Sequence, residues 1–171
     1  TTSTLQQEAN RKLGFTSSRT MRTAQQLYEG VDLGGDTVGL ITYLRTDSVN
    51  LAQDALAEIR EVIAKKFGAS SVPPEARQFK TKSKNAQEAH EAIRPTSAAR
   101  IPEQVAGFLT PDQAKLYELI WKRAMASQMT QAVFDTVTAE LRAGDDHAFR
   151  ASGSVLVEPG FIPVYSQGKD E

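Results

Sequence analysis

The 171-residue sequence contains no cysteine, which excludes disulfide bonds and thiolate metal sites. It has no apolar run long enough to span a bilayer, and we expect no membrane partner. Hydrophobic residues make up 40% of the chain, enough for the core of one domain or of one domain with an appendage. The sequence begins at Thr1 without a methionine, and we expect it to be a fragment of a longer protein.

The chain also has little net charge, −1, so its overall electrostatics do not indicate a nucleic-acid-binding protein. The distribution is uneven. Residues 131–171 carry 3 basic and 7 acidic side chains, whereas the remainder carries 17 basic and 14 acidic ones. A mildly basic body is compatible with a short DNA segment but not with an extended electrostatic footprint. Ordinary solvated charge explains the same numbers equally well.

Capping residues and apolar periodicity predict a mixed α+β fold that is mainly helical. We expect helices at about residues 2–13, 18–29, 49–67, 86–93 and 111–129, and one or two turns at 102–108. The first two form a helix-turn-helix-like pair. A strand is predicted at residues 37–45. After a boundary near residue 130, strands are expected at 132–141, 149–157 and 160–164, with a turn at Gly144-Asp145-Asp146. Four large side chains are expected in the core: Tyr117, Trp121, Met125 and Phe134.

The stretch Leu-Ile-Thr-Tyr-Leu-Arg-Thr-Asp-Ser at residues 40–48 predicts a strand that runs into a helix cap at Asp47 or Ser48. Alternation along a strand places Tyr43 and Arg45 on one face, roughly 7 Å apart. A phenol beside a guanidinium is a plausible nucleophile with a phosphate clamp. The local pattern alone favours a core or cross-strand tyrosine, and an arginine that is exposed on the surface or paired with Asp47.

This stretch resembles the active-site tyrosine segment of type IA DNA topoisomerases, in particular the bacterial topoisomerase I branch. Residues 84–96, Lys-Asn-Ala-Gln-Glu-Ala-His-Glu-Ala-Ile-Arg-Pro-Thr, resemble the histidine-bearing helix of the same family. Residues 2–7 and 116–123 are similar to two further family segments in the expected order. The resemblance spans about residues 1–130 and continues more weakly to the end of the chain.

The resemblance implies roles for specific residues. Tyr43 attacks a phosphodiester of single-stranded DNA and becomes joined to the 5′ phosphate. Arg45 clamps that phosphate, and His90 orients it, with proton transfer as a further role. Thr46 is either a helix-cap residue or a DNA contact. Arg94, on the same predicted helix face as His90, is either a DNA-backbone contact or the partner of Glu91 in an ion pair.

The family also implies a cofactor and further domains. Type IA enzymes hold Mg²⁺ in a separate toprim domain through an acidic cluster, and no Asp-x-Asp-x-x-x-Glu pattern of that kind occurs in this sequence. We therefore expect Mg²⁺ to be bound outside this chain, and the chain alone to be inactive. Residues 131–171 are expected to be an incomplete part of the strand-rich arch domain, whose unpaired edge favours self-association. The implied location is the bacterial cytoplasm, on nucleoid DNA.

Three other interpretations concern the same residues. His90 with Glu88 and Glu91 lacks a convincing further ligand, so no metal site is predicted there. Lys80, Lys82 and Lys84 fit a solvated loop better than a phosphate contact. The chain as a whole also fits a non-catalytic helix-turn-helix module that reads duplex DNA through its second helix, using Arg19, Arg22, Gln25 and Gln26. A purely structural interaction domain, which would bind neither single strands nor duplex DNA, is the third possibility.

Overall fold

The structure, a computed structural model, describes residues 1–79 and 90–166 and is mixed α and β, with helix predominating. The helices are α1 (Thr2–Leu13), α2 (Ser17–Glu29), α3 (Gln53–Phe67), α4 (Pro102–Val105) and α5 (Pro111–Ser127), with 3₁₀ turns at Ala69–Ser71 and Ala106–Phe108. The strands are β1 (Val31–Asp32), β2 (Thr37–Val38), β3 (Val133–Ala143) and β4 (His147–Glu158). They form two separate antiparallel pairs, β1 with β2 and β3 with β4.

Local capping signals account for the helices that the sequence predicts well. The Thr1 hydroxyl accepts from the Thr4 N–H at the start of α1. Gly14, at φ 66°, ends that helix in the left-handed conformation that glycine adopts readily. At α5, Thr110 and Gln113 form a reciprocal capping box, with bonds of 3.3 and 3.0 Å. The predicted start of α5 is thereby confirmed.

The core lies between α1, α2, α3 and α5. Tyr117, Trp121 and Met125 of α5 are buried, as predicted. Their polar atoms have partners, because the Tyr117 hydroxyl donates to the Arg100 carbonyl at 2.6 Å and the Trp121 indole donates to Ala98 at 2.9 Å. Phe134 is 52% exposed on β3, so its predicted place in the core is wrong. None of the helices within the described residues is both long and apolar enough to cross a membrane.

Three predicted elements around residues 37–96 differ from the structure. Regular strand is confined to β2, and beyond it Ile41 makes only an isolated bridge with Pro95. Helix α3 begins at Gln53 rather than near residue 49. The hydroxyls of Thr46 and Ser48 accept from the N–H groups of Ser48 and Asn50, so they stabilise local turns instead of capping a helix.

The predicted helix at residues 86–93 lies partly outside the described residues. The residues of that range which the structure describes, 90–93, are not helical. The Ala92 N–H donates to the Asn50 carbonyl at 2.8 Å, which replaces a helical hydrogen bond with a long-range one. Glu88 and the three lysines at 80, 82 and 84 also lie outside the described residues.

Strands β3 and β4 form a long hairpin around a turn at residues 144–146, where Gly144 has φ 69°. Every residue of both strands is exposed. The predicted third strand at 160–164 is a turn instead, in which the Tyr165 N–H donates to the Phe161 carbonyl at 3.0 Å. Tyr165 then returns to the helical body, where its hydroxyl donates to Glu8 and accepts from Arg123.

Candidate active site

Tyr43 and Arg45 lie on the exposed side of an irregular segment, residues 40–48. Tyr43 is 50% exposed and Arg45 is exposed, whereas Leu44 between them is 1% exposed. The alternation that the sequence predicts is therefore present, but no strand produces it. The phenol-bearing and guanidinium-bearing side chains are therefore both exposed to solvent.

The first anchor of this segment is the end of α2. The Leu40 N–H donates to the Leu27 carbonyl at 2.8 Å. Gly39 approaches so closely that a Cβ there would lie 2.7 Å from the Tyr28 carbonyl oxygen. The Tyr28 ring meets the Tyr43 ring edge to face, with centroids 5.4 Å apart at 65°. This contact restricts the positions open to the Tyr43 phenol.

The second anchor is the chain that follows His90. The Thr42 N–H donates to the Arg94 carbonyl at 2.9 Å, and the Thr96 N–H donates to the Leu40 carbonyl at 3.0 Å. The Thr42 hydroxyl donates to the Ala92 carbonyl and accepts from the Arg94 N–H, each at 2.9 Å. These bonds place the histidine-bearing segment directly beside the segment of Tyr43.

The third anchor is the first turn of α1. The Thr2 hydroxyl donates to the Leu44 carbonyl at 2.8 Å and accepts from the Thr46 N–H at 2.9 Å. The Thr2 N–H donates to the Thr46 carbonyl at 2.8 Å. Elements from three parts of the chain therefore hold residues 40–46, although these residues contain no helix and no strand.

The remaining predicted site residues have distinct environments. His90 is exposed. Thr46 is 8% exposed, and its hydroxyl accepts from Ser48 in a turn. Arg94 forms an ion pair with Glu91, with Nε 2.6 Å from the carboxylate, and its side chain is 15% exposed. The ion-pair interpretation of Arg94 thus has a direct counterpart in the structure, and its contact with DNA stays a prediction.

A carboxylate of α3 fixes the loop that follows Pro95. The Glu58 carboxylate accepts from the Ser97 hydroxyl at 2.6 Å and from the Ala99 N–H at 3.3 Å. Burial alone would raise the pKa of Glu58, but hydrogen bonds from Ser97, Ala98 and Ala99 and the positive charge of Arg94 hold that pKa below its usual value. A charged Glu58 stabilises the loop in its observed position.

The residues suggested for base reading are mostly engaged within the protein. Arg19 makes two 2.7 Å bonds to Asp112 of α5, and the pKa of Asp112 is lowered by that contact. Gln25 donates to Glu29, and Gln26 accepts from Gln113 of α5. Two of the four residues, Arg19 and Gln26, therefore contact α5, which does not favour a helix that enters the major groove.

Within residues 1–79 and 90–166, no group of three or more histidine, aspartate or glutamate side chains converges where a metal ion would bind.

Thr2, Thr42 and Tyr28 are not among the predicted site residues, because each contacts residues that are distant in sequence. The only sequence signal for Thr2 was its place in a family-like segment.

The sequence model of one protein family, described as DNA topoisomerase, matches residues 1–171. The chain belongs to the DNA topoisomerase family. DNA topoisomerase 1 of Xylella fastidiosa strain 9a5c is 59% identical over 170 residues, covering 99% of this chain and 21% of that protein. DNA topoisomerase 1 of Rickettsia conorii strain Malish 7 is 50% identical over 171 residues, covering 99% and 22%.

A solved member of the family has the same fold over this chain. The full-length topoisomerase I from Thermotoga maritima, in a monoclinic crystal form, superposes with a TM-score of 0.81 at 40% identity. The match covers 99% of this chain and 27% of that one. The chain spans about a fifth of the length of the curated relatives it matches.

Proposed function

We propose that this chain is the nucleophile-bearing segment of a type IA DNA topoisomerase and that Tyr43 is the nucleophile. The observation that carries the proposal is the exposed side chain of Tyr43, separated by Leu44 alone from the exposed side chain of Arg45. Both lie on a segment that is held by three other parts of the chain. A positioned backbone is what a covalent catalyst needs, since small displacements from reacting geometry reduce rates strongly.

The proposed step exchanges one phosphoester for another. The Tyr43 oxygen, having lost its proton, bonds to the phosphorus of a single-stranded DNA phosphodiester. The bond from phosphorus to the 3′ oxygen breaks, and that oxygen takes up a proton to become a free hydroxyl. The 5′ phosphate remains on Tyr43. Because phenols are more acidic than alcohols, the phenolate leaves readily when the 3′ hydroxyl attacks in reverse, and no ATP is needed.

The other site residues act on the same phosphate. The Arg45 guanidinium donates to phosphate oxygens and stabilises the charge that develops on them. His90 orients the phosphate or transfers a proton, and the bonds of Thr42 to Ala92 and Arg94, close to His90 in the sequence, support this role. Thr46 and Arg94 are assigned secondary contacts with the DNA backbone. Arg94 contacts DNA while paired with Glu91.

The complete enzyme would relax negatively supercoiled DNA by cleavage, strand passage and religation, in the cytoplasm and on the nucleoid. Mg²⁺ would be held by a toprim domain outside this chain, where it assists the chemistry of the phosphate. Residues 131–171 would belong to the arch domain. Its other strands would pair with the exposed hairpin, which carries eight exposed large apolar side chains: Val133, Phe134, Val137, Leu141, Phe149, Val155, Leu156 and Val157.

A chimeric enzyme tests the proposal. In it, this chain replaces the matching 170 residues of the Xylella fastidiosa relative. The chimera is incubated with end-labelled single-stranded DNA and Mg²⁺ and stopped with denaturant. We expect a covalent adduct that retains a 3′-end label and is absent in Tyr43→Phe. An adduct of unchanged yield in Tyr43→Phe would show that another residue is the nucleophile.

The isolated chain is expected to bind single-stranded DNA weakly and not to relax supercoiled DNA, because the described part of the chain has no group of three or more histidine, aspartate or glutamate side chains that could hold a metal ion. To measure relaxation, a supercoiled plasmid and Mg²⁺ are incubated with the isolated chain or, in a parallel reaction, with the chimera, and the products are separated on a gel. Relaxation by the chain at a rate comparable to that of the chimera would contradict the assignment of the metal to another domain.

A further inference from the structure

The Thr2 side chain makes contacts that capping of its own helix does not require. The cap of α1 is provided by Thr1, whose hydroxyl accepts from the Thr4 N–H. The Thr2 hydroxyl is directed instead at a segment more than 40 positions away in the sequence. It lies within hydrogen-bond distance of two carbonyls there, 2.8 Å from that of Leu44 and 3.1 Å from that of Thr46.

The bonds of Thr2 fall on both sides of Arg45. The Leu44 carbonyl belongs to the peptide that precedes Arg45, and the Thr46 N–H belongs to the peptide that follows it. The Thr2 backbone adds a third bond, from its N–H to the Thr46 carbonyl. Arg45 itself has no regular secondary structure around it, so these bonds replace a helix or strand in fixing its backbone.

We propose that Thr2 is a positioning residue for Arg45, and that its hydroxyl aligns the guanidinium with the phosphate that Tyr43 attacks. This inference rests on the proposed function of the Tyr43 segment. A hydroxyl is required at position 2 because one group must donate to a carbonyl and accept from an N–H at the same time. Valine has the same shape without either capacity, and serine keeps both.

The structure also separates this role from that of an ordinary buried threonine. Thr20 in α2 is fully buried, and its hydroxyl donates to the Thr16 carbonyl at 3.0 Å. That carbonyl also accepts from the Thr20 N–H at 2.9 Å, so it keeps a partner when the hydroxyl is removed. Thr20→Val is therefore a matched control that deletes one hydroxyl from the same fold without touching residues 40–46.

The test uses the chimeric enzyme, with single-turnover formation of the covalent adduct at saturating single-stranded DNA, and Kd for the same DNA measured separately. Thr2→Val should lower the rate about tenfold or more, as expected when a catalytic group is misaligned, with Kd changed by less than about twofold. Thr2→Ser and Thr20→Val should stay within about threefold of the unchanged chimera in rate.

A double mutant distinguishes a positioning role of Thr2 from a role in stability alone, because only positioning makes the effect of Thr2→Val depend on Arg45. In an Arg45→Lys background, Thr2→Val should lower the rate by less than about threefold, because the group it positions is already changed. A full tenfold loss in that background would overturn the proposal, as would an unchanged rate in Thr2→Val or a parallel loss in Thr20→Val. If Thr2→Val does not fold, Thr2→Ser decides the question. A folded Thr2→Ser whose rate of adduct formation falls about tenfold would also overturn the proposal.

The failure of this proposal is distinguishable from failure of the proposed function. If Tyr43→Phe abolishes the adduct and the Thr2 variants behave like the unchanged chimera, only the role of Thr2 is wrong. If the adduct persists in Tyr43→Phe, the nucleophile itself is misassigned, whatever the Thr2 variants show.

Discussion

Gly39 is the position at which α2 and the Tyr43 segment come closest together. A Cβ at residue 39 would lie 2.7 Å from the Tyr28 carbonyl oxygen, a distance that requires backbone to move. The neighbouring bond from the Leu40 N–H to the Leu27 carbonyl, at 2.8 Å, joins the same two segments. Gly39→Ala should therefore push the segment away from α2 and weaken this bond.

The expected cost of Gly39→Ala combines two effects. Overpacking in a tight site costs about 1–3 kcal/mol, and a weakened hydrogen bond costs about 0.5–1.5 kcal/mol. Replacing glycine restricts the unfolded chain, which offsets about 0.4–1 kcal/mol of that cost. The net free energy of unfolding should fall by about 2 kcal/mol, and Tm by about 4–8 °C for a chain of this size.

Gly107→Ala is the control, because a Cβ at residue 107 meets no atom within 4 Å. Urea unfolding of both variants, followed by circular dichroism, should give a lower midpoint for Gly39→Ala and an unchanged or higher one for Gly107→Ala. In the chimera, Gly39→Ala should also slow adduct formation, since the Tyr28–Tyr43 ring contact depends on the same approach. Equal midpoints for the two variants would refute the argument.

Two further predictions concern buried tyrosines. Burial and the hydrogen bond to Glu8 raise the pKa of Tyr165 to about 12, above its ordinary value of 10.0. The folded state therefore holds this proton more tightly, so the stability it contributes is complete below pH 10 and is lost as pH rises through 12. The urea midpoint should fall more steeply across that window in the unchanged chain than in Tyr165→Phe, and parallel profiles would contradict this. Tyr117→Phe removes the donor to the Arg100 carbonyl and should lower the free energy of unfolding by about 1–2 kcal/mol in the same titration at pH 7, whereas no loss would show that the carbonyl finds another partner.

Sequence reasoning succeeds here wherever the determining contacts are local. The caps at Gly14 and Thr110 act within one helical turn, so α1 and α5 are predicted nearly to the residue. The hairpin turn at Gly144 is likewise recognisable because glycine tolerates its positive φ. In each of these cases the residues that determine the element belong to it or lie next to it.

The errors have the opposite origin. Tyr43 and Arg45 alternate with buried Leu44 as in a strand, yet no strand ladder holds the backbone. It is held instead by the distant Thr2 hydroxyl and by the bond of the Thr42 hydroxyl to the distant Ala92 carbonyl. The late start of α3 reflects Ser48, whose hydroxyl bonds to a nearby N–H outside any helix. Apolar alternation on β3 suggested a buried face, but Phe134 has no partner layer among the described residues.

The most direct test of the central claim is to identify the residue that carries DNA. The adduct of the chimera is digested with trypsin and nuclease, and the nucleotide-bearing peptide is sequenced by mass spectrometry. Cleavage after Arg22 and Arg45 gives a peptide of residues 23–45 that contains both Tyr28 and Tyr43. Fragmentation between the two tyrosines assigns the modification. We predict a nucleotide 5′ phosphate on Tyr43, and a nucleotide on Tyr28 or on any other peptide would contradict the proposed function.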